Sequence, residues 1–163
     1  GTTGFGFGAY AEYICLPGEP DDTQGALAAK PINLSYEEAA AVPTAGFEAL
    51  HFLREAHIQR GQKVLIIGAG GSIGTFAVQL ARHFGAEVTA VDSTGKLDML
   101  RSIGADHVVD YTKEDFTKNG QQYDLVFAFF SPDSYAAASK YVKRGGFIIY
   151  LPLPSGLTPC NRK

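Results

Sequence analysis

The chain predicts a doubly wound parallel α/β sheet, and three observations carry that fold class. An apolar run without polar alternation, Val64–Ile67, passes through a glycine cluster straight into an amphipathic helix, which suits a strand covered on both faces. Further short apolar runs follow it, each separated from the next by a helix-period segment, so that strands and crossover helices alternate. The 19 glycines fall largely at the junctions, where strand–helix turns are tight.

The elements follow in order. Residues 9–16 read as a short strand, 17–24 as a turn-rich loop and 27–31 as a brief extended piece. Ser35-Tyr-Glu-Glu38 is a capping box that starts a short helix, and a further helix covers about 45–56, with Ala45, Ala49, Phe52, Leu53 and Ala56 on one side. Then come strand 63–67, helix 72–84, strand 87–91, helix 95–103 and strand 106–110. A short helix near 113–119, strand 124–129, helix 132–142 and strand 146–151 complete the pattern. Pro132 marks a helix start, and Gly104, Gly120 and Gly145 serve as stops. Residues 157–163 have no pattern and read as a tail. By domain, 1–34 is a β remnant that cannot fold alone, and 35–156 is the α/β domain.

Composition narrows the function. A net charge of −3 gives no reason to expect nucleic acid or an anionic membrane, and no apolar run approaches the ~20 residues of a membrane span. Two distant cysteines, Cys15 and Cys160, favour a reducing cytoplasm. The chain has no initiating Met and reads as part of something longer.

The strand–glycine–helix junction is the informative motif. The strict G-x-G-x-x-G spacing does not fit; the chain has A-x-G-x-x-G at Ala69, Gly71 and Gly74, or G-x-x-G-x-x-G from Gly68. Unpaired N–H groups and the positive end of the helix dipole converge there, around Ser72 and Ile73, and make a site for an anion. Small residues at Gly68, Gly70 and Gly71 admit a pyrophosphate, and Gly74 lets the helix pack on the strand. The next strand ends in Asp92, where a carboxylate meets adenosine ribose hydroxyls. These residues predict dinucleotide binding.

Choice of nicotinamide cofactor is a conflict within the sequence. Asp92 argues for NAD, since a carboxylate repels a 2′-phosphate, while Ser93, Thr94 and Lys96 offer hydroxyls and an ammonium to that phosphate. Phe130 and Leu151, at the ends of the fourth and fifth strands, complete the candidate cofactor-binding set.

The segments Gly8–Tyr13, Ala39–Gly46, Gly61–Ile66, Gly68–Gly74, Gly104–Tyr111 and Tyr123–Phe127 resemble, in order and spacing, the medium-chain dehydrogenase/reductase superfamily in its zinc-free quinone-reductase branch. The resemblance implies an NAD(P)-binding Rossmann domain, with residues 1–34 as the edge of a GroES-like catalytic domain and more chain on both sides. It implies zinc-independent hydride transfer to a quinone, enone or other carbonyl, a small-molecule substrate. A lysine at the Lys96 position and a tyrosine at the Tyr111 position hold the 2′-phosphate in NADPH-dependent members, so NADP(H) is favoured over NAD(H). Thr44 stands where the zinc alcohol dehydrogenases carry a cysteine ligand; a hydroxyl is a poor Zn²⁺ ligand, so no metal is expected, and Thr44 lies near the nicotinamide. Two positions depart from the family pattern, Ala128 in place of an aspartate and Pro152 in place of a glycine.

The family's sixth strand is absent from the pattern. An unpaired edge beside 146–151 and the apolar Tyr10, Tyr13, Ile14 and Leu16 therefore predict a homodimer or larger assembly. The alternative to an enzyme is a truncated, non-catalytic dinucleotide-binding module, and this chain alone is expected to show negligible quinone reduction.

Overall fold

The computed structural model describes residues 28–115, 118, 120–129, 138–151 and 158–159. The chain divides into two compact units, Gly1–Thr44 and Ala45–Lys163. The strand expected at 9–16 lies outside the described residues. In the first unit the capping box forms: the Glu38 N–H donates to Ser35 Oγ at 3.1 Å, and the Ser35 N–H donates to the Glu38 carboxylate at 2.8 Å.

The helix so started, α1 (Tyr36–Glu55), is one continuous helix rather than the two expected, with Pro43 inside it. Proline deletes one backbone donor, but the Glu37–Ala41 run before it consists of strong helix formers. Beyond it, Ala49 and Leu53 are buried in the core of the second unit, so packing outweighs the missing bond. The helix closes through His57, whose φ of 49° is left-handed and whose N–H donates to Arg54 O at 2.9 Å.

The second unit is a sheet with helical crossovers. Its elements are β1 (Lys63–Ile67), α2 (Ser72–His83), β2 (Glu87–Asp92), a 3₁₀ turn (Thr94–Lys96), α3 (Leu97–Ser102), β3 (His107–Asp110), β4 (Tyr123–Phe129), β5 (Val142–Leu151) and β6 (Thr158–Pro159). The strand order is β3-β2-β1-β4-β5-β6. All pairs among β1 to β5 are parallel, which makes this a Rossmann-type sheet with its switch point between β1 and β4.

Burial explains the unbroken apolar runs. Val64 and Ile66 of β1, Val88 and Ala90 of β2, and Leu125 and Phe127 of β4 face a core built with Ala49, Leu53, Ala77, Ala81 and Leu100 from the three helices. Residues of the opposite parity, Leu65, Val91 and Val126, face a second core containing Ala138, Tyr141 and Ile148. Both faces of each strand are covered, so the central residues of both parities are buried, Thr89 of β2 included.

Several boundaries differ from expectation, α2, β2, β3 and β4 by one residue each and others by more. The helix expected over 95–103 is split into the 3₁₀ turn and α3. Asp106 is a connector rather than strand, because its carboxylate accepts the Val88 N–H at 2.8 Å. The short helix expected near 113–119 falls partly outside the described residues, and residues 113–115 are not helical. The helix expected over 132–142 lies mostly outside them, and its end overruns: Ser139–Tyr141 form a turn and Val142 already belongs to β5. That early start is possible because β5 carries an irregularity opposite Tyr123 and Leu125, with Gly145 at φ 83°. Gly146 must also be small, since a Cβ there would stand 2.6 Å from Asp124 O.

The expectation of a bare edge beside 146–151 and a patternless tail is overturned. β6 pairs antiparallel with β5, Phe147 opposite Pro159 and Ile148 opposite Thr158. A two-residue strand ending in proline shows no alternation in sequence, yet proline is tolerated on an edge strand.

Candidate cofactor-binding site

Parallel register gathers the candidate residues along one edge of the sheet. Ile67 pairs with Val91 and Ala128, Asp92 with Asp110, and Phe129 with Leu151, so the carboxyl ends of β1 to β5 lie together. Ligands of open α/β sheets bind at that edge, outside the switch point.

The glycine loop leaves β1 through Gly68, whose φ of 76° glycine adopts without strain. Val91 O accepts the N–H groups of Gly68 at 3.0 Å and Ala69 at 3.2 Å, and Ala69 is fully buried. Gly71 N–H donates back to Gly68 O at 3.1 Å, closing the turn, and Thr75 N–H to Gly71 O at 2.9 Å begins α2. A Cβ on Gly74 would stand 2.6 Å from both Gly68 O and Ala69 O, so this glycine sets how closely helix and loop pack. A Cβ on Gly71 would meet nothing nearer than Gly68 O at 3.4 Å. That face of the loop is open.

The start of α2 is rich in unengaged donors. Gly71 is its N-cap without a side-chain cap, and its first turn contains no acidic residue. Among the described residues, no hydrogen bond engages the N–H groups of Ser72, Ile73 or Gly74. Three convergent donors at a positive helix end, beside a glycine with free space, fit a pyrophosphate.

At the end of β2, Asp92 is buried and turned inward. Its Oδ2 accepts the Gly70 N–H at 2.7 Å; its Oδ1 accepts the Ser93 N–H at 2.8 Å and the Ser93 hydroxyl at 3.3 Å. Lys96 lies across the same loop, its Nζ donating to Gly70 O at 3.0 Å and standing 3.8 Å from Asp92 Oδ1. A Cβ on Gly70 would fall 2.2 Å from Lys96 Cδ and 2.9 Å from Asp92 Oδ2. Gly70 is therefore kept small by side chains of this protein as well as by any pyrophosphate.

The structure adds a residue that the sequence reading missed. Asp110, in register with Asp92, is buried and accepts from the Thr94 hydroxyl, the Thr112 hydroxyl at 2.6 Å and the Thr112 N–H at 3.0 Å. Lys113 Nζ stands 3.6 Å from it. The hydroxyls of Thr112 and then Thr94 hold its carboxyl down at about 2 against the opposing effect of burial, helped by the Thr112 N–H and Lys113. The clue was an aspartate at a strand end followed two residues on by threonine, the pattern of an Asx turn.

The other candidates fall as follows. Tyr111 is exposed beside these carboxylates, its N–H donating to Asp92 O at 3.2 Å. Leu151 is the last residue of β5. Phe130 lies outside the described residues, as do Pro152 and most of the segment between β4 and β5. Ala128, where the family pattern carries aspartate, is fully buried in β4. Thr44 is an exposed residue of α1 at the end of the N-terminal unit.

Fold and strand order together define a Rossmann-type α/β domain. The chain belongs to the zinc-binding dehydrogenase family, whose sequence profile matches residues 72–163, within the medium-chain dehydrogenase/reductase superfamily. It is 41% identical over 147 residues to the 2-methylene-furan-3-one reductase of Solanum lycopersicum, covering 89% of this chain and 36% of that one. It is 35% identical, with the same coverage, to the chloroplastic NADPH-dependent alkenal/one oxidoreductase of Arabidopsis thaliana. Among solved structures, the quinone oxidoreductase of Thermus thermophilus, determined also in complex with NADPH, superposes with a TM-score of 0.70 at 34% identity, covering 81% of this chain and 45% of that one. The chain thus spans about a third of the length of these curated relatives.

The family's name raises the question of zinc. Among the described residues no three His, Cys, Asp or Glu side chains come together as a metal would need. Nor is any helix among them long and apolar enough to cross a membrane.

Proposed function

We propose that this chain is the cofactor-binding part of an NADPH-dependent oxidoreductase that reduces a small enone, quinone or related carbonyl. The observation that carries the reading is the glycine loop with its three unengaged donors, flanked by Lys96, Ser93 and Thr94 at the end of β2. The activities named for the tomato and Arabidopsis relatives and the NADPH complex of the Thermus neighbour support the cofactor and substrate class.

Bound NADPH supplies the hydride. The residues of this chain bind and orient it: the N–H groups of Ser72, Ile73 and Gly74 take the pyrophosphate, and Lys96, with N–H donors beyond the one on Gly70 O, takes the 2′-phosphate, while the hydroxyls of Ser93 and Thr94 donate to Asp92 and Asp110. Tyr111 follows β3 at the same edge, and Leu151 ends β5 there. Catalysis in this reading is positioning of donor and acceptor without zinc, consistent with a hydroxyl at Thr44 in place of a thiolate. Residues 1–34 then belong to a GroES-like domain that encloses the acceptor.

Calorimetric titration of the chain with NADPH and NADH tests the cofactor assignment. NADPH should bind, and more tightly than NADH; failure of both to bind would overturn the reading.

A further inference from the structure

The end of β2 is where a carboxylate ordinarily decides between the two nicotinamide cofactors, and Asp92 occupies that place. Most of its acceptor positions are already taken. An ionised carboxylate offers about four acceptor positions. Here one oxygen takes the Gly70 N–H at 2.7 Å, and the other takes both the N–H and the hydroxyl of Ser93. The side chain is 9% exposed, so little of it faces an incoming ribose. Its charge is partnered by Lys96, whose own Nζ is held on Gly70 O. Gly70 thus bonds Asp92 through its N–H and Lys96 through its carbonyl, and has no room for a Cβ between them.

We propose that Asp92 is a positioning residue for the cofactor loop and does not read the ribose: it anchors Gly70 and seats Lys96 over the glycine turn. The 2′ position is then selected by the ammonium of Lys96, which also partners the nearby carboxylate, while the hydroxyls of Ser93 and Thr94 stay on Asp92 and Asp110. The affinity consequence rests on the nucleotide reading above; the anchoring itself does not.

Asp92→Asn separates the two roles, because an amide has a single acceptor oxygen and cannot serve both the Gly70 and Ser93 N–H groups. A residue that reads the ribose directly would, once its charge is gone, shift preference toward NADPH. A loop anchor predicts the opposite sign: the dissociation constant for NADPH rises at least as much as that for NADH, by about tenfold for loss of a charge-assisted bond. Amide hydrogen exchange supplies a readout that needs no nucleotide. Exchange at Gly70 or Ser93 should accelerate about tenfold, while Gly68, whose N–H is held by Val91 O, exchanges as before. A general loss of fold would accelerate all three and would show as a lowered melting temperature; Ser93→Ala, which keeps the carboxylate, should then leave Gly70 protected. A shift in preference toward NADPH in Asp92→Asn, or unchanged exchange at both Gly70 and Ser93, would overturn the proposal. Failure of the wild-type chain to bind either nucleotide would instead overturn the functional reading and leave exchange to decide the anchor.

Discussion

Gly74→Ala is the substitution that most directly tests how the loop and α2 are joined. A Cβ at this buried position would stand 2.6 Å from Gly68 O, 2.6 Å from Ala69 O and 2.7 Å from Ala69 C. All three are backbone atoms, so no side-chain rotation relieves the contact. Ordinary contact needs the N-terminus of α2 to retreat by roughly 1 Å from the loop. Overpacking of this kind costs up to about 3 kcal/mol. Alanine is the better helix former by about 1 kcal/mol, which offsets part of it. The net expectation is a loss of about 2 kcal/mol. With a urea m-value of about 2 kcal/mol/M, the unfolding midpoint falls by about 1 M. Nucleotide affinity should fall as well, since the retreating turn carries the donors of Ser72 and Ile73. A midpoint within about 0.2 M of wild type would refute the argument that Gly74 is dictated by close backbone packing.

Gly71→Val should do the reverse: with φ −81° and no atom nearer than 3.4 Å to a Cβ, the fold survives with a capping loss of about 1 kcal/mol, while calorimetry shows nucleotide binding abolished. Lys96→Ala should weaken NADPH by about 1.5–3 kcal/mol and NADH far less, and equal losses would remove Lys96 from the 2′-phosphate. Asp110 favours its ionised form in the folded chain, with a carboxyl near 2 against the ordinary 3.8. Its contribution is complete above about pH 4 and lost as pH falls through 2. Urea midpoints measured between pH 5 and 2 should therefore fall less steeply in Asp110→Asn than in wild type.

Local pattern determined much of this protein. β1 runs over the predicted residues, because an uninterrupted apolar run bounded by Gly61 and Gly68 suits only a strand covered on both faces. The capping box and the glycine turn into α2 were legible for the same reason, since each is stated by residues within one or two turns of one another. What sequence could not state were arrangements decided by distant partners. Pro43 reads as a helix break, and only burial of the following half of α1 carries the helix through it. Thr158 and Pro159 have no strand signal until β5 offers an edge. Asp92 reads as a ribose acceptor by its position, yet it is turned onto Gly70, a residue 22 positions away, and Asp110 gains its partner Thr94 across two strands. A carboxylate's chemistry is written in the chain; which donors reach it is settled only when parallel register brings the strand ends together.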